Sequence, residues 1–120
     1  MAEGIFKKLL EENRIEAEVS SCGVSTFPGL PPADEAVRAA AEYSADISAH
    51  RSAQFSPFMI DEDTFFICMT YSHAAVLLSA GVEKEKIAVL DIPDPYGGDD
   101  VVYRQCAALI YEKLKLLLNQ

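Results

Sequence analysis

The sequence predicts an α/β domain of three αβα layers with a mainly parallel sheet. Three observations carry that expectation. Helix-like and strand-like periodicities alternate in the order α-β-α-(α)-β-α-β-α, and such alternation gives parallel strands joined by crossover helices. Thr64 to Met69 is a near-continuous apolar run, as expected of a strand buried on both faces. No linker, repeat or low-complexity tract breaks the 120 residues, half of them apolar. That length fits a single domain over residues 1–120 with a real core.

Met1 to Arg14 reads as a helix, with Ile5, Phe6, Leu9 and Leu10 on one face and Lys7, Lys8, Glu11 and Glu12 opposite. Glu16 to Ser21 reads as a short strand with Ala17, Val19 and Ser21 on one side. Gly23 to Ala33 holds Pro28, Gly29, Pro31 and Pro32 and is a loop. Asp34 is expected to cap a helix reaching about Tyr43, with Ala36, Val37, Ala40 and Ala41 inward. Ser56-Pro57 starts a short helical turn, proline being suited to the first helical position. After the Thr64–Met69 strand, Thr70 or Ser72 caps a helix to Ser79, and Gly81 closes it. Ile87 to Leu90 is a second buried strand. A last helix runs from Asp99 to about Leu118, with Val102, Cys106, Leu109, Ile110, Leu114 and Leu117 inward. One feature is unusual. The chain opens on a helix, whereas a doubly wound domain normally opens on a strand whose following loop carries the phosphate site.

Composition excludes several function classes. A formal charge of -9 and a pI near 4.5 repel phosphate backbones and anionic lipid, so neither nucleic acid nor membrane is an expected partner. No apolar run approaches the ~18–20 residues needed to span a bilayer, and the charged, amphipathic start does not resemble a signal peptide. Cys22, Cys68 and Cys106 are an odd number at wide spacing, which fits a reducing cytoplasm. With only His50 and His73 beside them, no metal cluster and no cofactor is expected.

The stretch Asp91-Ile92-Pro93-Asp94-Pro95-Tyr96-Gly97-Gly98 is the most informative. Pro95 restricts Asp94 to extended conformations, Pro93 fixes the approach, and two glycines allow a tight exit. These are also ordinary turn residues. A stiff loop of this kind can equally hold a carboxylate and a ring over a pocket, as a general acid requires. On the loop's own residues the turn is the better reading; its place after the last strand, at the rim where such folds bind ligands, brings the second reading level with it.

Read together, five segments resemble the low-molecular-weight protein tyrosine phosphatases, a family with a flavodoxin-like fold. They are Met1-Ala2-Glu3-Gly4-Ile5-Phe6, Val19-Ser20-Ser21-Cys22-Gly23-Val24, His50-Arg51-Ser52-x-Gln54, Phe66-Ile67-Cys68-Met69-Thr70 and the Asp91–Gly98 loop. They occur in the family's order and span essentially the whole chain. The single aromatic after Pro95 resembles the bacterial branch, including protein arginine phosphatases. The resemblance implies a thiol-phosphatase mechanism acting on a phosphorylated protein. A thiolate in a Cys-x5-Arg loop attacks phosphorus, and an aspartic acid protonates the leaving group and then activates water. It makes Asp94 that acid and base, Tyr96 the lip that guides the substrate ring, and Ser21 and His50 braces of the phosphate loop.

The same resemblance exposes departures. Ser44 and Ala49 stand where relatives often carry glycine, and Ala53 where many carry arginine. More seriously, the family's first strand and its Cys-x5-Arg loop would come just before the residues matching Met1-Ala2-Glu3. Six positions beyond Cys22, Cys68 and Cys106 stand Pro28, Ala74 and Glu112, so no nucleophile loop is present. The domain is therefore expected to be N-terminally incomplete, truncated of its first central strand, and inactive as given. Each unsatisfied buried polar group costs about 1–3 kcal/mol, so the sheet should not stay unchanged. Two escapes are direct pairing of Ala17–Ser21 with Thr64–Met69, or pairing of exposed strand edges in a homodimer. The functional alternative is a pseudophosphatase acting as a binding or regulatory module. A related thiol arsenate reductase fits less well, because the three cysteines lack that family's closely spaced later pair.

Overall fold

A computed structural model describes residues 1–119. In chain order its elements are α1 (Ala2–Glu12), α2 (Asp34–Ala41), a 3-10 turn (Pro57–Met59), β1 (Phe66–Cys68), α3 (Tyr71–Ser79), a second 3-10 turn (Lys84–Lys86), β2 (Ile87–Val89) and α4 (Asp100–Leu118). β1 and β2 pair in parallel, with Phe66 opposite Ile87, Ile67 opposite Ala88 and Cys68 opposite Val89. Beyond the formal strands the ladder continues, since Leu90 N donates to Cys68 O at 2.8 Å.

The period-two alternation of a strand sorts the two cores. Ile67, Met69, Leu90 and Ile92 face the main core, with α1, α2 and α4. Phe66, Cys68, Ile87 and Val89 face the smaller one, with Ala74 and Leu77 of α3 and with Val82. Helices thus cover both faces of the parallel pair, and the three-layer αβα expectation is met.

Several local expectations need correction. The predicted strand Glu16–Ser21 does not form. Residues 15–22 carry no regular structure, and among the described residues no backbone hydrogen bond involves residues 16–22. A strand exists by pairing, and nothing lies alongside this segment to pair with. Direct pairing of Ala17–Ser21 with Thr64–Met69 is therefore not the arrangement adopted. The sheet is two strands wide, and only Gly23 beyond the segment makes an isolated parallel bridge, to Gln54.

Asp34 is the first residue of α2 and not its cap. Ala33 holds that position, with no side-chain cap. Ala39 is buried in place of Ala41, alongside Ala36 and Ala40. Ser44, where a glycine was noted as usual, adopts φ 62, a left-handed conformation that glycine reaches without strain. The inward face of α4 is also rotated from expectation. Tyr103, Cys106, Ala107, Ile110 and Leu114 are buried, while Val102 and Leu109 are exposed. Val102 instead packs on Gly98, where an added Cβ would lie 2.7 Å from its Cγ1. The other caps match. Ser56 accepts from Phe58 N at 3.3 Å, and Thr70 accepts from His73 N at 3.4 Å. Asp99 accepts from Val102 N at 3.0 Å, which makes it the cap of α4 and not its first residue.

Candidate functional site

Asp94 sits beyond the carboxyl end of β2 on a loop with defined attachments. Asp91 turns the chain in a left-handed conformation, φ 56. Ile92 then re-enters the main core at 1% exposure, and its N–H donates to Met69 O at 2.8 Å. Lys113 of α4 donates to the carbonyls of Leu90 and Asp91 at 2.6 and 3.4 Å. The Asp94 carboxylate accepts from Tyr96 N at 3.0 Å, an aspartate turn that fixes its rotamer. Gly98 N donates to Pro95 O at 2.8 Å, and Asp99 then caps α4. Asp94 is exposed, and the Tyr96 ring is 87% exposed, so both project outward from a fixed backbone. Beside them, Arg38 of α2 pairs with Asp100 at 2.9 Å.

The two expected braces come together on a residue that sequence reasoning had assigned no role. Ser21 Oγ donates to Glu3 Oε1 at 3.0 Å, and His50 Nδ1 lies 3.5 Å from Glu3 Oε2. Lys7 donates to the same Oε2 at 3.3 Å. Burial pushes the Glu3 carboxyl up, but the hydrogen bonds from Ser21 and Lys7 and the charges of Lys7 and His50 outweigh it, and its pKa falls below the ordinary value. Gly4 makes this possible. A Cβ there would lie 2.5 Å from Ile47 Cγ2, so only glycine lets the first turn of α1 approach the 45–50 segment. The available signal was a carboxylate in the first helical turn, directly after Met1-Ala2.

Several buried titratable groups flank the start of α1 and the middle of α4. Burial lowers the Met1 ammonium pKa, while Cys106 and Glu3 raise it. Burial raises the Cys106 thiol, which is also close enough to feel the Met1 ammonium and Asp94. Tyr103 is likewise raised by burial and then by Asp94.

The geometry supplies an aimed carboxylate, an exposed ring and an anchored hydrogen-bond cluster. None of the three cysteines in these residues is an activated thiol. Burial raises the pKa of Cys22, of Cys68 and of Cys106, the opposite of what activates a thiol. Among the described residues no group of three or more His, Cys, Asp or Glu could hold a metal ion. No described helix is long and apolar enough to cross a membrane. An open groove of about 830 Å³ lies elsewhere, between Lys7, Leu10 and Glu11 of α1 and residues 15–20. Of the expected site residues it includes none.

Comparison with known proteins identifies the fold and the family. The model of the low molecular weight phosphotyrosine protein phosphatases matches residues 1–120. A protein-arginine-phosphatase of Bacillus subtilis is 27% identical over 130 residues, covering 100% of this chain and 86% of that protein. The crystal structure of a low molecular weight protein tyrosine phosphatase from T. tengcongensis is similar at TM-score 0.88 and 29% identity, over 98% of this chain and 87% of the other. A YwlE mutant from Bacillus subtilis is similar at TM-score 0.89 and 26% identity, over 99% and 86%.

Proposed function

The chain belongs to the low-molecular-weight phosphotyrosine protein phosphatase family, and from that membership we propose that its site serves hydrolysis of a phosphorylated protein side chain, phosphotyrosine or phosphoarginine, through a phosphocysteine in the cytoplasm. Asp94 is the general acid that protonates the leaving group and the base that then activates water. Tyr96 forms the wall along which the substrate side chain lies. Ser21 and His50 act through Glu3 to hold the surroundings of the phosphate. The observation that carries this reading is the Asp94 loop, whose carboxylate is set by the Tyr96 amide at 3.0 Å beyond the end of β2, where an α/β fold presents its ligand site.

The attacking cysteine and the phosphate-binding arginine are not among these 120 residues, because no cysteine is followed by arginine six positions on. The 120-residue chain alone is therefore expected to be inert. Acid–base help of ~10²–10⁴-fold cannot replace a nucleophile and its oxyanion cradle. The test has two arms. This chain should show no turnover of a small aryl phosphate, and turnover abolished by Asp94→Asn would overturn the reading. The same chain joined after Pro to a strand ending in Cys-x5-Arg-Ser-Pro should gain turnover that falls ~10²–10⁴-fold on Asp94→Asn. An Asp94→Asn change without effect there would remove Asp94 from the acid role.

A second reading is a pseudophosphatase that binds a protein partner through the same rim, where the Tyr96 ring is 87% exposed. The two part on the DNA upstream of Met1. An in-frame strand-like run ending in Cys-x5-Arg supports the enzyme, and an in-frame stop supports the binding module.

A further inference from the structure

We infer that Lys113 is a positioning residue for the Asp94 loop, acting from α4 on the two carbonyls where that loop begins. The reading of Asp94 as the acid is used only for the catalytic consequence; the geometric claim stands apart from it. Two independent observations meet at this point. Lys113 Nζ donates to Leu90 O at 2.6 Å and lies 3.4 Å from Asp91 O. Leu90 is 5% exposed, so its carbonyl has little recourse to water and gains a charge-assisted partner. Immediately afterwards Asp91 holds φ 56, a left-handed conformation that aspartate tolerates better than most non-glycine residues and that turns the chain at this point.

The Lys113 stem can deliver the ammonium because its neighbours on α4, Ile110 and Leu114, are each 1% exposed and lock that stretch of helix into the core. Asp99, at the start of the same helix, closes the loop by capping α4. Both ends of residues 91–98 are thus tied to one rigid element. Where α4 sits sets where Asp94 sits, and Lys113 is the tie at the entrance.

Three forms of the chain test this by backbone ¹⁵N relaxation. In the unaltered protein, residues 91–98 should show order parameters near ~0.85, as in rigid backbone, and the Lys113 ammonium protons should exchange slowly. Lys113→Met should drop the order parameters of residues 91–98 below ~0.6 while those of α1 and α2 stay unchanged. Lys113→Arg, which keeps a cationic donor, should restore them. Loss spread evenly over the molecule would show a merely structural role and overturn the inference. So would unchanged order in Lys113→Met, or failure of Lys113→Arg to rescue. If Lys113→Met does not fold, fast exchange of the ammonium protons in the unaltered chain overturns it, and slow exchange with order kept in Lys113→Arg upholds it. None of these readings depends on catalysis, so a failure of the acid assignment is seen separately, in Asp94→Asn.

Discussion

Residues 91–98 and residues 15–22 are of equal length and both follow a predicted or actual secondary element, yet the molecule treats them in opposite ways. The first is tied by a core side chain, a lysine, an aspartate turn and a helix cap. The second is held at its two ends, by Ile15 N on Leu10 O at 2.9 Å and by Ser21 on Glu3, and carries no backbone hydrogen bond over 16–22 among the described residues. One loop is irregular but fixed by side chains and core; the other has the alternation of a strand but no neighbour to make it one. Local pattern supplies a tendency, and contact partners decide the outcome.

Three changes sharpen that contrast. Ile92→Ala should have the largest effect. Ile92 is 1% exposed, and removing such a side chain costs about 2–5 kcal/mol. Urea denaturation reads this directly, and a loss under 1 kcal/mol would mean the loop root is not part of the core. Glu3→Gln should have a smaller, pH-dependent effect. The Glu3 pKa lies below its ordinary value of 4.5, so the folded state favours the ionised form more than the unfolded state does. Its contribution is full above about that value and is lost as pH falls through the lowered folded pKa. Thermal unfolding followed between pH 7 and about 3 should therefore show a shallower acid decline in Glu3→Gln; identical slopes would remove Glu3 as the hub. Ala17→Pro should do least. A proline in a paired strand removes a ladder bond, but here no bond is at stake, and a change within about 1 kcal/mol is expected. A cost of several kcal/mol would reveal a partner for that amide.

Much of this was legible in the sequence because it is local. The apolar run at Thr64–Met69 and the caps at Ser56 and Thr70 depend on neighbours within a few residues. Ser44 was singled out as an odd non-glycine, and its φ of 62 gives the physical reason. The Asp94 loop could be read as stiff because proline and glycine act on their own backbone. What could not be read depends on distant partners. Glu3 gathers Ser21 and His50 only after α1, the 45–50 segment and residue 21 have met in space. The buried face of α4 is set by its packing against α1 and α2, which its own sequence does not contain. The strand at Ala17–Ser21 was expected from alternation alone, and alternation does not supply a ladder.

The β1–α3–β2 unit has a further consequence, for the order of assembly. Its pairing joins residues 66–68 to 87–89, so its loop is short and the entropy of closing it is low. The contact of α1 with α4 must instead bring together segments near the two ends of the chain. The parallel pair is expected to acquire amide protection early in pulse-labelled refolding, with the Glu3 cluster trailing it. Equal protection times would break this expectation. The Asp94 loop would then inherit its foundation from the first part to fold, before the two ends of the chain have met.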